Sequence, residues 1–195
     1  TYAALPCATS PATLPELWML GSGGGSSALA GQLGMGLALA KFIAPSTCSP
    51  QIFREHADAY RQSGATTPPP RLVALAVICA VSDEEARFVA GTAVYRKMMA
   101  GSMPREPLLS PEEVRQRYER MNRQEQHEFD STLNDMVVGS AETCRSRIRQ
   151  IADEFGCEEV GVVTVTYRFE DRLRSYQLLA EAFDLSCAGN TTRVV

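Results

Sequence analysis

A chain of 195 residues is long enough for one sizeable domain and short for two. Its 45% hydrophobic and 22% charged content is that of a globular protein, and a formal net charge of −4 offers no basic surface for nucleic acid. No run approaches the roughly 20 apolar residues that span a bilayer, so no membrane partner is expected. The start, Thr1 to Cys7, has no charged n-region and does not read as a secretory signal. It also has no initiator Met, so the chain reads as processed or as a piece of something longer. Six cysteines (Cys7, Cys48, Cys79, Cys144, Cys157, Cys187) include no C-x-x-C pair, which leaves neither a metal spacing nor a disulfide framework. Reduced thiols in a cytoplasmic protein are the expectation, with Cys79 simply packed in its apolar run.

Leu5 to Pro15, rich in Pro, Ala, Thr and Ser, reads as a loop leading in. A short apolar run from Glu16 to Leu20 stops at a glycine cluster, Gly21 to Gly25. Ser26 to Leu33 then reads as a helix closed by Gly34. A second apolar run, Leu37 to Ile43, ends at Pro45, and Ser49-Pro50 opens a helix to about Gln62. Three prolines (Pro68 to Pro70) precede the clearest buried strand, Leu72 to Ala80. Ser82-Asp83-Glu84-Glu85 is a capping box for a helix to about Ala100. A similar box at Ser110 opens a charged segment through about Phe129. Ser140 caps a helix to about Phe155, followed by a fourth strand (Val160 to Thr166) and a last helix (Glu170 to Phe183).

The order is thus β-α-β-α-β-α, a charged insertion, then α-β-α. Strands alternating with helices imply parallel pairing through right-handed crossovers. Two architectures fit, a doubly wound open sheet or a run of barrel units, and four strands are too few to close an eight-stranded barrel.

Leu20-Gly21-Ser22-Gly23-Gly24-Gly25-Ser26-Ser27 is the feature best suited to carry chemistry. It follows a strand and opens a helix, where unpaired backbone N–H groups and the helix dipole favour an anion. Glycines let the main chain approach a phosphate, and Ser22, Ser26 and Ser27 add hydroxyls. The other strongly capped helices carry acids in their first turn, whereas nothing from Gly25 to Leu33 is charged. The plain alternative is a turn and no more. Gly21-x-Gly23-x-x-Ser26 is close to a dinucleotide fingerprint, but the next strand ends at Lys41-Phe42-Ile43-Ala44 without the ribose-binding carboxylate. No Gly-Lys-Ser/Thr follows either, so a Walker loop is excluded and a mononucleotide phosphate fits better.

Three collinear blocks carry a resemblance: PELWMLGSGGGSSALAGQLGMGLALAKFIAP (Pro15 to Pro45), VICAVSDEEARFVA (Val77 to Ala90), and VVGSAETCRSRIRQIADEFGCEEVGVVTVTYRFEDRLRSYQLLAEAF (Val137 to Phe183). In order and spacing the chain resembles the C-terminal half of luciferase-like flavin-dependent monooxygenases. The resemblance implies a partial (β/α)8 TIM-type barrel of about four parallel strands over residues 1–185. A charged helical insertion at about 102–136 and a flexible tail at 186–195 complete the expected layout. It also implies a reduced flavin, FMN or in relatives F420, that oxidises a small organic substrate with O2. Carried over position by position, Gly21, Ser22, Gly23 and Gly24 lie on the flavin phosphate, and Ala40 and Lys41 lie near the isoalloxazine ring. Lys41 departs from the family, which usually has an aromatic residue or His there.

The first four strands of such a barrel, with its usual catalytic His, have no counterpart in this sequence, and no residue here is assigned a catalytic role. His56 and His127 sit among charged neighbours and read as solvated helix surface. The charged segment Glu112 to Asp130 reads as a solvated helix with i,i+4 pairs such as Glu113 with Arg117. The resemblance alone suggests a lid over the active-site mouth. Asp83, Glu84 and Glu85 are explained by capping without acid–base work. Two functions stay open. One is an FMN-dependent monooxygenase, with an F420-dependent oxidoreductase as its variant. The other is a non-catalytic half-barrel, a fragment or pseudoenzyme acting through assembly. An open half-barrel leaves two strand edges and an apolar interior of about ten branched side chains uncovered. A homo-oligomer or association through the open face is therefore expected.

Overall fold

The computed structural model describes residues 15–64, 66–101 and 106–185. The expected lead-in loop, apart from Pro15, and the expected tail 186–195 lie outside the described residues, as do Cys7 and Cys187. Elements follow in the order β1 (Trp18–Gly21), α1 (Gly24–Gln32), β2 (Gly36–Ala40), α2 (Pro50–Gln62), β3 (Arg71–Cys79) and α3 (Asp83–Met98). After a 3-10 turn come α4 (Pro111–Tyr118), α5 (Arg123–Asn134), β4 (Val137–Gly139), α6 (Ala141–Phe155), β5 (Glu159–Val163) and α7 (Phe169–Ala182).

Every strand pair is parallel. Trp18 to Gly21 lie opposite Gly36 to Leu39, and Leu37 to Ala40 opposite Arg71 to Ala74. Leu72 to Ala76 also face Glu159 to Val163, so β2 and β5 flank β3 on opposite edges. The main frame is therefore β1-β2-β3-β5. The short β4 adds a fifth strand that the sequence reading did not contain, pairing Val137 to Gly139 with Val77 to Cys79. Three residues are too few to show a period, and β4 becomes a strand because the end of β3 runs past the last β2 partner at Ala74.

Burial decides between the two architectures. Leu37, Leu39, Val73, Leu75 and Val77 pack in one core with Ala30 of α1, Phe53 of α2, Ile148 of α6 and Leu178 of α7. Helices α1, α2, α6 and α7 thus cover a single face, as in a barrel arc, whereas a doubly wound sheet has helices on both faces. The fold is an α/β arc of the TIM-barrel type, and among the described residues it does not close. The opposite, concave face is where the sequence expectation fails. Instead of about ten branched side chains, β2, β3 and β5 present mainly small residues there, Ala38, Ala40, Ala74, Ala76 and Gly161, with Leu72 and Val163. At its carboxyl end, Ile78 is covered by Val89 and Ala90 of α3, with Val138 and Leu133 alongside.

The charged segment is not one helix. It breaks between Tyr118 and Arg123, where Asn122 caps α5 by accepting from the Gln124 and Glu125 N–H groups at 2.9 and 3.0 Å. Its apolar residues Val114 and Phe129 close a second small core against Val94 of α3. The capping box at Ser82 is present in part: Ser82 accepts from Glu85 N–H, while Asp83 reaches across to the Ser140 N–H at 2.6 Å. That bond ties α3 to the start of α6 and holds the Asp83 carboxyl below its ordinary range. Cys48, Cys79, Cys144 and Cys157 are free thiols, all buried.

Candidate functional site

The glycine turn lies at the carboxyl end of β1, on the edge of the sheet where parallel α/β folds bind ligands. Gly21 is buried, and a Cβ there would fall 2.4 Å from the Ser26 Cβ, so only glycine lets the chain fold back onto its own helix. Gly23 is the N-cap of α1, in extended conformation, with no side-chain bond to the helix end and no acid in the first turn. At Gly23 and Gly25 a Cβ would meet nothing within 4 Å among the described residues, so the turn is open to them on that side. The first N–H groups of α1 and the half-buried Ser22 and Ser26 hydroxyls form its donor set. Ser27, counted as a further donor from the sequence, is buried and gives its hydroxyl to the Gly24 carbonyl at 2.7 Å.

The loop after β2 clamps this turn. The Ser22 carbonyl accepts from the Thr47 hydroxyl at 3.2 Å and from the Cys48 thiol at 3.6 Å. Burial pushes the Cys48 thiol up, so it stays protonated and able to donate. Neither residue is singled out by any local sequence pattern, because the contact spans 25 or 26 positions. One neighbour opposes an anion: the Glu55 carboxylate of α2 stands 3.1 Å from where a Gly24 Cβ would be.

The structure separates Ala40 from Lys41. Ala40 lies on the concave face. Lys41 shares the parity of Leu37 and Leu39, and its ammonium donates to the Pro45 carbonyl at 3.0 Å and lies 5.8 Å from the Phe155 ring centre. That alternation was readable in the sequence. From α3, Lys97 donates to the Phe42 carbonyl at 3.2 Å and ties the excursion to the same loop.

His56 corrects the sequence reading. Far from being solvated, it is fully buried, with Nε2 2.9 Å from the Met35 carbonyl and Nδ1 without a partner among the described residues. Burial lowers its pKa and keeps the ring neutral, so Nε2 carries the proton that Met35 accepts. The signal was present: Ile52, Phe53, His56, Ala59 and Tyr60 form one buried helical stripe. His56 sits beside Gly31, in the last turn of α1, rather than at the glycine turn. His127 is exposed. Among the described residues no helix is long and apolar enough to cross a membrane.

Comparison with known proteins adds an independent line. The sequence profile described as luciferase-like monooxygenase matches residues 2–159. YwcH of Bacillus subtilis (strain 168), an uncharacterized protein, is 34% identical over 181 residues, covering 92% of this chain and 53% of its own length. YceB of the same organism, likewise uncharacterized, is 29% identical over 182 residues, covering 93% of this chain and 54% of its own. The solved structure of apo-MsnO8 is similar at 35% identity and a TM-score of 0.72, covering 93% of this chain and 55% of that one. The monooxygenase RslO1 from Streptomyces bottropensis shares the fold at 20% identity and a TM-score of 0.63, over 86% of this chain and 47% of that one. The chain spans about half the length of the curated relatives it matches.

Proposed function

The chain belongs to the luciferase-like monooxygenase family, and from that membership we propose that it forms the phosphate-holding side of an FMN-dependent monooxygenase. One observation carries the reading: a helix N-terminus with no acid in its own first turn, behind a glycine turn at the carboxyl edge of a parallel barrel arc, with Glu55 of α2 the one carboxylate beside it. The main-chain N–H groups after Gly23 and the Ser22 hydroxyl hold the phosphate. Gly21 shapes the turn, and Gly24 allows close approach. Thr47 and Cys48 keep the turn in place through the Ser22 carbonyl. Ala40 and the main chain of Lys41 border the ring, while the Lys41 ammonium serves its own loop. When bound, a reduced flavin supplies the electrons with which one atom of O2 goes to a small organic substrate and the other to water. The chain's own part is to position the cofactor and, through α3 over the end of the concave face, to exclude water. The donor set fits any phosphate-bearing flavin, F420 included.

A fluorescence titration of the chain with FMN and with riboflavin, which lacks the phosphate, tests the grip. FMN should bind about tenfold tighter, worth about 1.4 kcal/mol. Equal affinities, or no binding of either, would remove the phosphate site.

A further inference from the structure

We propose that Cys79 and Cys144 are a peroxide-oxidised pair whose disulfide fastens together the two ends of the α3–α5 excursion. Cys79 ends β3, just before the excursion leaves the sheet. Cys144 lies in the first turn of α6, just after the chain returns through β4. The β3–β4 register sets Cys79 opposite Gly139. The Cys144 sulfur lies 3.4 Å from the Gly139 carbonyl oxygen and 3.7 Å from that of Ile78, at the same rung. Cys79 shares the parity of Leu75 and Val77 and so faces the helix layer, where Cys144 joins the same buried core. The two thiols are hydrogen-bonded to each other. Strand β3 is paired along both edges and covered by α6 and α7, so the pair is interior to the fold.

The two sulfurs are not equivalent. Cys144 donates to Cys79 and holds that thiol below its ordinary range, and the Arg174 guanidinium of α7 acts in the same direction. Sharing its proton with Cys79 pushes Cys144 up, and burial and the Asp83 carboxylate push it further. Burial also raises Cys48, and it raises Cys157 to about 11. Among the described thiols, Cys79 alone is set as a nucleophile, with a second thiol already in place to resolve it. The Cys79 thiolate attacks one oxygen of hydrogen peroxide, the O–O bond breaks, and the leaving hydroxide takes a proton to become water. The Cys144 sulfur then attacks the Cys79 sulfenic acid, forming the S–S bond as the S–O bond breaks and a second water leaves. Two thiols lose two electrons and one peroxide gains them. Both sulfurs are buried, so peroxide reaches them when the start of α6 opens. That point is held by the three residues of β4 and by the bond from the Ser140 N–H to Asp83.

Peptide mapping of the native protein after peroxide treatment tests this without any flavin. It should find a Cys79–Cys144 cross-link, lighter by two hydrogens, that dithiothreitol reverses. In Cys144→Ser, oxidation should stop at a Cys79 sulfenic acid, captured when the protein is unfolded in the presence of dimedone. In Cys79→Ser, Cys144 should stay unlabelled. Amide exchange from Val138 to Thr143 should slow about tenfold on oxidation and recover on reduction. Thiols that both survive saturating peroxide, a cross-link from either to another cysteine, dimedone on Cys144 rather than Cys79, or exchange that fails to slow would each overturn the staple.

Discussion

The two sides of the arc treat their helix ends differently. On the β3–β5 side, Ser82, Ser110, Asn122 and Ser140 bond the starts of α3, α4, α5 and α6, and every helix from α3 to α7 has an acid in its first turn. On the β1–β2 side, α1 and α2 have neither a side-chain cap bond nor such an acid. The first side spends its helix dipoles on its own stability. The second leaves them for an outside anion, at some cost to the unliganded chain. The same side also packs more closely: α1 and α2 touch through Gly31, where a Cβ would fall 2.6 Å from both the Ala59 Cβ and the His56 carbonyl. A tight pair of helices is what holds an unprotected N-terminus in place.

Gly31→Val attacks that pairing most directly. Forcing α1 from α2 should cost about 1–3 kcal/mol, near the upper end, read as a lower urea midpoint at unchanged slope. Gly25→Asp makes the β1–β2 side resemble the other. With open space at Gly25, the new carboxylate should raise unfolding stability by about 0.5–1 kcal/mol while weakening FMN about tenfold. A variant that gained stability and kept its flavin affinity would show that α1 does not hold the phosphate. Asn122→Ala, on the self-capped side, should cost about 1 kcal/mol and speed amide exchange in α5, with no effect on flavin binding.

Burial lowers the folded-state pKa of His56 from its ordinary 6.5, so the folded chain favours the neutral ring. That contribution is complete above the unfolded value and is lost as pH falls below 6.5 through the folded value. His56→Gln, which can still donate to the Met35 carbonyl, should flatten the fall in stability over that range. An unchanged acid limb would mean that His56 is solvated after all.

Local chemistry alone was enough for the strand–helix alternation, the caps at Ser82, Ser110 and Ser140, and the glycine turn, because each is set by residues within a few positions of one another. It also carried the family resemblance, which the profile match over residues 2–159 bears out. Tertiary structure decided what depends on distant partners. β4 exists through the unpaired end of β3, His56 is buried because α1 lies against its stripe, and Ser22 is clamped by residues 25 and 26 positions away. Side-chain size on the concave face and the one-sided helix layer likewise emerged only once register and crossover direction were fixed. A sequence states which residues alternate, whereas packing states which face each alternation turns toward.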